Sequence, residues 1–182
     1  MAVVTTLPRG RAFTEDDLAA MPDDGNRYEL VDGALIVTPS PVTLHQIVVG
    51  ELYLALRATC PVTQRVLLAP YDVRISATTV LQPDLLVASK DAFGEKFLPG
   101  APLLAVEVLS PSTRHIDLGL KRSRYEAAGC ASYWVVDPDL PSISAWELGD
   151  EGYVDAGVAT GAESLTLHRP FEVTVVPSTL VA

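Results

Sequence analysis

Apolar and polar positions change their period several times along the chain, and each change marks an element. Thr14 followed by Glu15, Asp16 and Asp17 has the composition of a helix start, with acids in the first turn where the helix dipole favours them, and Pro22 closes this short helix. Arg27-Tyr28-Glu29-Leu30-Val31 and Ala34-Leu35-Ile36-Val37-Thr38 read as two strands, joined by an Asp32-Gly33 pair that supplies the positive φ of a tight hairpin turn. Thr43 with Gln46 has the spacing of a capping box, and the Leu, Ile, Val and Ala that follow at helical spacing predict a long, largely buried helix to about Thr59. Val66 to Leu68, Tyr71 to Ile75, Thr78 to Pro83 and Asp84 to Ala88 are predicted to be extended.

The run Leu103 to Leu109 has no alternation, which predicts a strand buried on both faces. Ser110-Pro111-Ser112-Thr113 closes it and offers N-caps for a helix that runs to about Ala128, where Gly129 stops it. Ser132 to Asp137 is a second buried strand ended by Pro138, so Leu103 to Val136 predicts a strand, helix, strand unit with parallel strands. Four short segments, Ser144 to Leu148, Gly152 to Asp155, Ser164 to Leu167 and Phe171 to Val176, are expected to extend or cover the sheet as antiparallel strands. The class is mixed α/β.

One position breaks the Leu103 to Leu109 run, and it carries the chemistry. Glu107 is a carboxylate where both faces are predicted to be buried, and a charge there needs a partner: a Lys, an Arg, a hydrogen-bonding shell or a metal ion. Asp84 follows Pro83 at the head of a neighbouring strand, and Lys121 lies on the next helix with Asp117 and Tyr125 at i, i+4, i+8 spacing. Two carboxylates within about 4 Å repel by roughly 4 kcal/mol at an effective dielectric near 20, and a divalent cation reverses that sign. Oxygen ligands of this kind suit Mg2+ or Mn2+, and a lysine beside them would orient or deprotonate an attacking water. Each residue also has a plainer reading. Glu107 would then be a structural ion pair with Lys121 or Arg74, Asp84 a turn or capping residue, Lys121 a solvated helix lysine, and His45 a surface or hydrogen-bonded histidine. Glu29 alternates with Tyr28 and Leu30, as an outward-facing strand residue does, while Asp72 and Asp137 read as structural.

Composition narrows the classes. The chain has 182 residues, 48% of them apolar and 20% charged, with no repeat or linker, so a single domain over 1–182 is expected. No run approaches the roughly 20 apolar residues of a membrane span, and the N-terminal segment lacks the pattern of a signal peptide, which places the protein in the cytoplasm. Cys60 and Cys130 are too few for a disulfide scaffold or a zinc site. The net charge of −10 argues against coating nucleic acid by bulk electrostatics, although Arg114, His115, Lys121, Arg122 and Arg124 gather within one helix, as a phosphate-contacting face or as solvated charge.

Pro83-Asp84, Glu107-Val108-Leu109-Ser110-Pro111-Ser112-Thr113, Asp117, Lys121, Tyr125, Gly129 and Tyr133-Trp134-Val135-Val136-Asp137-Pro138 together resemble the Uma-type endonuclease family, a branch of the PD-(D/E)XK superfamily. The likeness reaches upstream to Tyr28 through Gly33, to Ser40-Pro41 and to His45. The resemblance implies a restriction-endonuclease-like core, a mixed central β-sheet flanked by α-helices, and metal-dependent hydrolysis of DNA phosphodiesters. It implies Asp84 and Glu107 as metal-binding acids for Mg2+ or Mn2+ and Lys121 as the catalytic lysine, with Glu29 and His45 as additional site positions. Where the superfamily's ExK motif puts its lysine this chain has Leu109, and the lysine of the Uma-type pattern stands at Lys121 instead. Arg114, Arg122 and Arg124 are candidate phosphate contacts, and a homodimer would suit a duplex substrate and cover strand edges. The competing expectation is a catalytically inactive module of nuclease fold that binds nucleic acid or protein. Hydrolysis by two carboxylates without metal, as in glycosidases, would need a sugar cleft that nothing in the chain suggests.

Overall fold

The computed structural model describes residues 10–111 and 113–182. The readings of the N-terminal segment 1–9 and of Ser112 as a cap therefore lie outside the described residues. A short helix α1 (Glu15–Ala19) precedes the hairpin β1 (Arg27–Val31) and β2 (Ala34–Thr38), and the long helix α2 spans Thr43–Thr59. Then come β3 (Gln64–Leu68), β4 (Asp72–Ser76), β5 (Thr79–Leu81), β6 (Leu85–Ser89), β7 (Phe97–Pro99) and β8 (Leu104–Val108). A π-helical turn over Ile116–Lys121 leads into α3 (Arg122–Ala127), and the chain ends with β9 (Ser132–Asp137), β10 (Ser142–Gly149), β11 (Gly152–Thr160), β12 (Leu165–Leu167) and β13 (Val173–Val175).

The strands form a six-stranded sheet in the order β11-β10-β9-β8-β6-β3, a five-stranded sheet in the order β2-β1-β5-β4-β7, and the hairpin β12-β13. In the larger sheet β8 and β9 are parallel, joined by the helical crossover as expected, and the remaining pairs are antiparallel. It is a mixed sheet with helices on its faces. The short C-terminal segments divide: β10 and β11 extend the sheet, whereas β12 and β13 pair only with each other. Strand β7 was not anticipated from the pattern, being three residues long and ending on a proline.

Period-2 alternation sends the central strands to two cores. Leu85 and Val87 of β6, Leu104, Val106 and Val108 of β8, and Trp134 and Val136 of β9 pack with Val48, Leu52 and Leu56 of α2. Leu86 and Ala88, Ala105, and Tyr133 and Val135 point the other way, to a core shared with Val31, Val73, Leu81 and Leu98 of the smaller sheet and Tyr125 of α3. Glu107 has the parity of Ala105, so its strand aims it between the two sheets.

Two helix boundaries differ from expectation. The N-cap of α2 is Val42, in extended conformation and without a side-chain cap, so Thr43 and Gln46 form no capping box. The reciprocal cap belongs to α1, where the Asp17 carboxylate accepts the Thr14 N–H at 2.9 Å. The crossover helix is also not continuous, because a π turn occupies its middle. Gly119 weakens the helical ladder there, and the Tyr133 hydroxyl donates to the Asp117 carbonyl at 2.8 Å, a side-chain insertion of the kind that displaces regular helix bonding.

The predicted hairpin turn forms as read, with φ of 51° at Asp32 and 77° at Gly33, both positive as a type I′ turn requires. A Cβ on Gly33 would meet the Ala12 Cβ at 2.4 Å. Gly33→Ala should therefore destabilise the protein by more than about 1 kcal/mol, and an unchanged urea midpoint would contradict this account.

Candidate active site

The site is assembled on the ends of elements from both sheets. Register places Leu85 opposite Val106, and one step further along the same antiparallel ladder sets Asp84 opposite Glu107. Directly opposed residues face the same side with Cβ atoms about 5 Å apart, which is how two strands bring two acids together. Glu29 enters from β1, where its parity matches Val31 and directs it inward. It is 1% exposed, and the outward-facing reading of Glu29 is overturned because the second sheet covers that face.

Lys121 is 2% exposed and lies among three acids. Its Nζ is 2.9 Å from Glu29 Oε1, 3.3 Å from Glu107 Oε1 and 3.4 Å from Asp117 Oδ1. Lys121 is thus not a solvated helix lysine, and of the two ion-pair partners considered for Glu107 it is the one present. Arg74 pairs with Glu15 at 2.9 Å and stacks on Phe97. An ammonium with no countercharge is costly to bury, and here the Glu107, Glu29 and Asp117 charges outweigh desolvation and raise the Lys121 pKa.

Asp84 is a second node. Its Oδ1 accepts from Arg27 Nη1 at 3.0 Å, and its Oδ2 accepts the Val108 N–H at 2.8 Å and lies 3.2 Å from His45 Nε2. It is neither a turn nor a helix cap: at 4% exposure it ties β1, α2 and the end of β8 together. Burial alone would raise its carboxyl, but His45, Arg27 and the Val108 N–H bring it below the ordinary range. Glu107 moves the opposite way. Burial pushes its carboxyl well up despite Lys121, and Asp117, Asp84 and Glu29 add to the rise. Asp117 is raised as well, chiefly by burial. The surroundings therefore favour a charged Lys121 and an ionised Asp84, whereas burial and the neighbouring acids favour the protonated form of Glu107.

Glu107, Asp84, Asp117, Lys121, His45 and Arg27 all line one cavity of about 300 Å3. Three buried carboxylates of its lining, Asp84, Glu107 and Asp117, face Arg27 and Lys121, and Glu29, outside that lining, also pairs with Lys121. His45 Nδ1 and Asp117 Oδ1 are buried without a hydrogen-bond partner among the described residues. The three arginines proposed for phosphates lie outside this lining. Arg114 pairs with Asp137, Arg122 lies 4.8 Å over the Trp146 ring, and Arg124 Nε donates to Asp32 Oδ2 at 2.8 Å. Asp137 also accepts the N–H groups of Asp139 and Leu140, and Asp72 accepts from Gln82, so both are structural as read.

Residues 15–178 match the profile of the Uma2 family, described as "Putative restriction endonuclease". The chain belongs to the Uma2 family. Its fold is similar to a crystal structure of "a putative nuclease belonging to DUF820 from Anabaena variabilis ATCC 29413", with a TM-score of 0.75 over 93% of this chain and 97% of that one at 17% identity. No curated protein matches the sequence. Among the described residues no helix is long and apolar enough to cross a membrane.

One residue of the candidate site carried a signal that went unused: Arg27 stands two positions before Glu29 and so shares its face of β1. The i, i+4 spacing of Asp117 and Lys121 does make them neighbours on the helical crossover. Removing the central cation should be severe: Lys121→Met is expected to cost about 3–5 kcal/mol near neutral pH, and less near pH 5 as the stranded acids take up protons. A raised acid such as Glu107 contributes stability that is full below its ordinary pKa and is lost as pH rises through the folded value. Glu107→Gln should accordingly flatten the decline of metal-free stability toward pH 9. Urea unfolding in EDTA across pH 5 to 9 measures both, and a Gln variant that declines as steeply as the wild type would refute the assignment.

Proposed function

We propose that this chain is a metal-dependent endonuclease of one domain spanning residues 1–182, in which Asp84 and Glu107 hold Mg2+ or Mn2+, Lys121 acts on the attacking water, and DNA is the substrate. Membership of the Uma2 family supports the nuclease class. The observation that carries the rest is the excess of acids around Lys121 and Arg27, where Asp84, Glu107 and Asp117 line the cavity and Glu29 pairs with the lysine from outside it.

The donor set fits a hard divalent ion. All the acids offer oxygen, and a divalent charge would offset the repulsion from Asp117, Asp84 and Glu29 that adds to burial in raising the Glu107 pKa. No group of three or more His, Cys, Asp or Glu is gathered closely enough to form a cage among the described residues. Mg2+ in phosphoryl chemistry takes one or two carboxylates, retains water and shares its other positions with the substrate, so a pair suffices. When bound, such an ion supplies Lewis-acid stabilisation of charge on the phosphate.

The protein's own groups have separable roles in this reading. Asp84 is held ionised and oriented by His45, Arg27 and the Val108 N–H, so it meets a cation without rearranging. Glu107 would hold the ion as its carboxylate, the form that its burial disfavours in the metal-free protein. Lys121, kept charged by its three acids, donates hydrogen bonds to the water and to developing charge on the phosphate oxygens. Glu29 and Asp117 hold the lysine in place, and His45 positions Asp84. Arg114, Arg122 and Arg124 would reach flanking phosphates by exchanging their present partners.

The same network favours a second reading, an inert module that binds nucleic acid or protein, because each acid of the site already has a protein partner. Titration calorimetry separates the two. The nuclease reading expects Mn2+ binding and Mn2+-dependent cleavage, with Asp84→Asn and Glu107→Gln each slowing cleavage by at least about 100-fold, the equivalent of roughly 3 kcal/mol. It fails if the protein binds no Mn2+ and cuts neither single-stranded, double-stranded nor branched DNA. Homodimerisation is proposed through the sheet edges β3 and β11, the latter with Val154 and Val158 each 57% exposed, and a monomer mass by light scattering would remove it.

A further inference from the structure

The reacting groups are recessed. Glu107, Asp117 and Lys121 are each 2% exposed and Asp84 is 4% exposed, at the base of a cavity whose 300 Å3 is at the small end for a ligand pocket. Pro39, Ser40, Pro41, Pro111 and Pro138 are all part of its lining, and each proline ring fixes its own φ. Side chains only 2–4% exposed lie below the protein surface, whereas a B-form duplex, with a major groove alone about 12 Å wide, presents its phosphates on a broad cylinder. Enzymes with recessed sites meet this problem by acting on single strands or by extruding a nucleotide from the stack.

A second cavity of about 550 Å3 continues from the first, sharing Arg27, Pro39, Ser40, Pro41 and Asp84 in its lining. Its own walls carry the amides of Asn26 and Gln46 and the half-buried ring of Tyr28, groups suited to unpaired base edges and to stacking, and the Gln82 amide, which donates to Asp72. Its charge is unsuited to a duplex. Arg27 and Arg74 are already paired with Asp84 and Glu15, and Asp23 and Asp72 add negative charge. The exposed cations Arg57, in the last turn of α2, Arg65, near the start of β3, and Lys90, just past the end of β6, line neither cavity. Double-stranded DNA carries a charge every 1.7 Å or so, about twice the density of one strand, so an acidic trough repels it more.

We infer that the two cavities form one trough for single-stranded DNA, its bases beside Tyr28 and the amides and one phosphodiester over Glu107 and Lys121, and that an intact duplex is excluded. The inference rests on the nuclease reading for its chemistry, whereas the fit of the strand is tested separately by binding. A fluorescein-labelled oligonucleotide and its duplex are titrated with wild-type protein in EDTA and followed by anisotropy. The single strand should bind at least about tenfold more tightly at equal salt. Gln46→Glu, which adds charge in the trough at a helix start where an acid is tolerated, should weaken single-strand binding about threefold or more without lowering the unfolding temperature. Covalently closed single-stranded and double-stranded circles are then incubated with Mn2+, and cleavage of the single-stranded circle alone is expected. Equal or tighter duplex binding, equal cutting of both circles, no binding of either, or a Gln46→Glu variant that binds as the wild type does would overturn the inference. Single-strand binding without cleavage of either circle would sink the nuclease reading and leave the trough assignment standing.

Discussion

A buried ammonium among three buried carboxylates is the contact on which the arrangement depends. Lys121 joins β1 through Glu29, β8 through Glu107 and its own helix through Asp117, so one cation holds two sheets and a crossover together. Such a cluster is not an economical source of stability, since apolar residues of similar volume would fill the space at less desolvation cost. Its presence makes sense as positioning. The lysine, the acids and the cavity wall are fixed relative to one another by the same contacts that keep the sheets together.

The π turn is the local adjustment that this contact needs. A regular helix would have left the Asp117 carbonyl in its ladder, whereas Tyr133 from the neighbouring strand donates to it, and both Asp117 and Lys121 lie buried on the turn. Single π turns are frequent at functional sites, where they shift which side chains point inward. Asp84 does on the other side of the cavity what Lys121 does on this one. Its carboxylate accepts the Val108 N–H just beyond the last ladder pair between β6 and β8, and it collects Arg27 and His45 in the process.

Much of this could be read from residues alone, and the failures have identifiable causes. The Leu103 to Leu109 run announced a strand buried on both faces because no period-2 pattern was present, and Glu107 stood out against it. Asp32-Gly33 announced its turn because few residue types accept two successive positive φ angles. The outward-facing reading of Glu29 failed because a strand covered by a second sheet shows the same alternation as one facing water, and only the tertiary packing distinguishes them. The π turn left no periodic signature, as it depends on a hydroxyl from another element. The capping box misplaced at Thr43 reflects chain direction: the extended Val42 after Pro41 brings the chain into α2 one residue early. The departure from ExK at Leu109 proved informative, since Leu109 packs into the second core while the ammonium arrives from the helix.

The hairpin turn holds one more consequence. Asp32 sits at positive φ and its carboxylate receives Arg124, on the helix that follows Lys121. Glycine and asparagine tolerate that backbone well but carry no charge, and glutamate carries the charge but lacks the short side chain that eases a left-handed backbone. Aspartate alone meets both demands, so a surface turn remote in sequence from the crossover helix has its choice of residue narrowed to one. The freedom that an exposed loop tip ordinarily enjoys is withdrawn here by a single guanidinium.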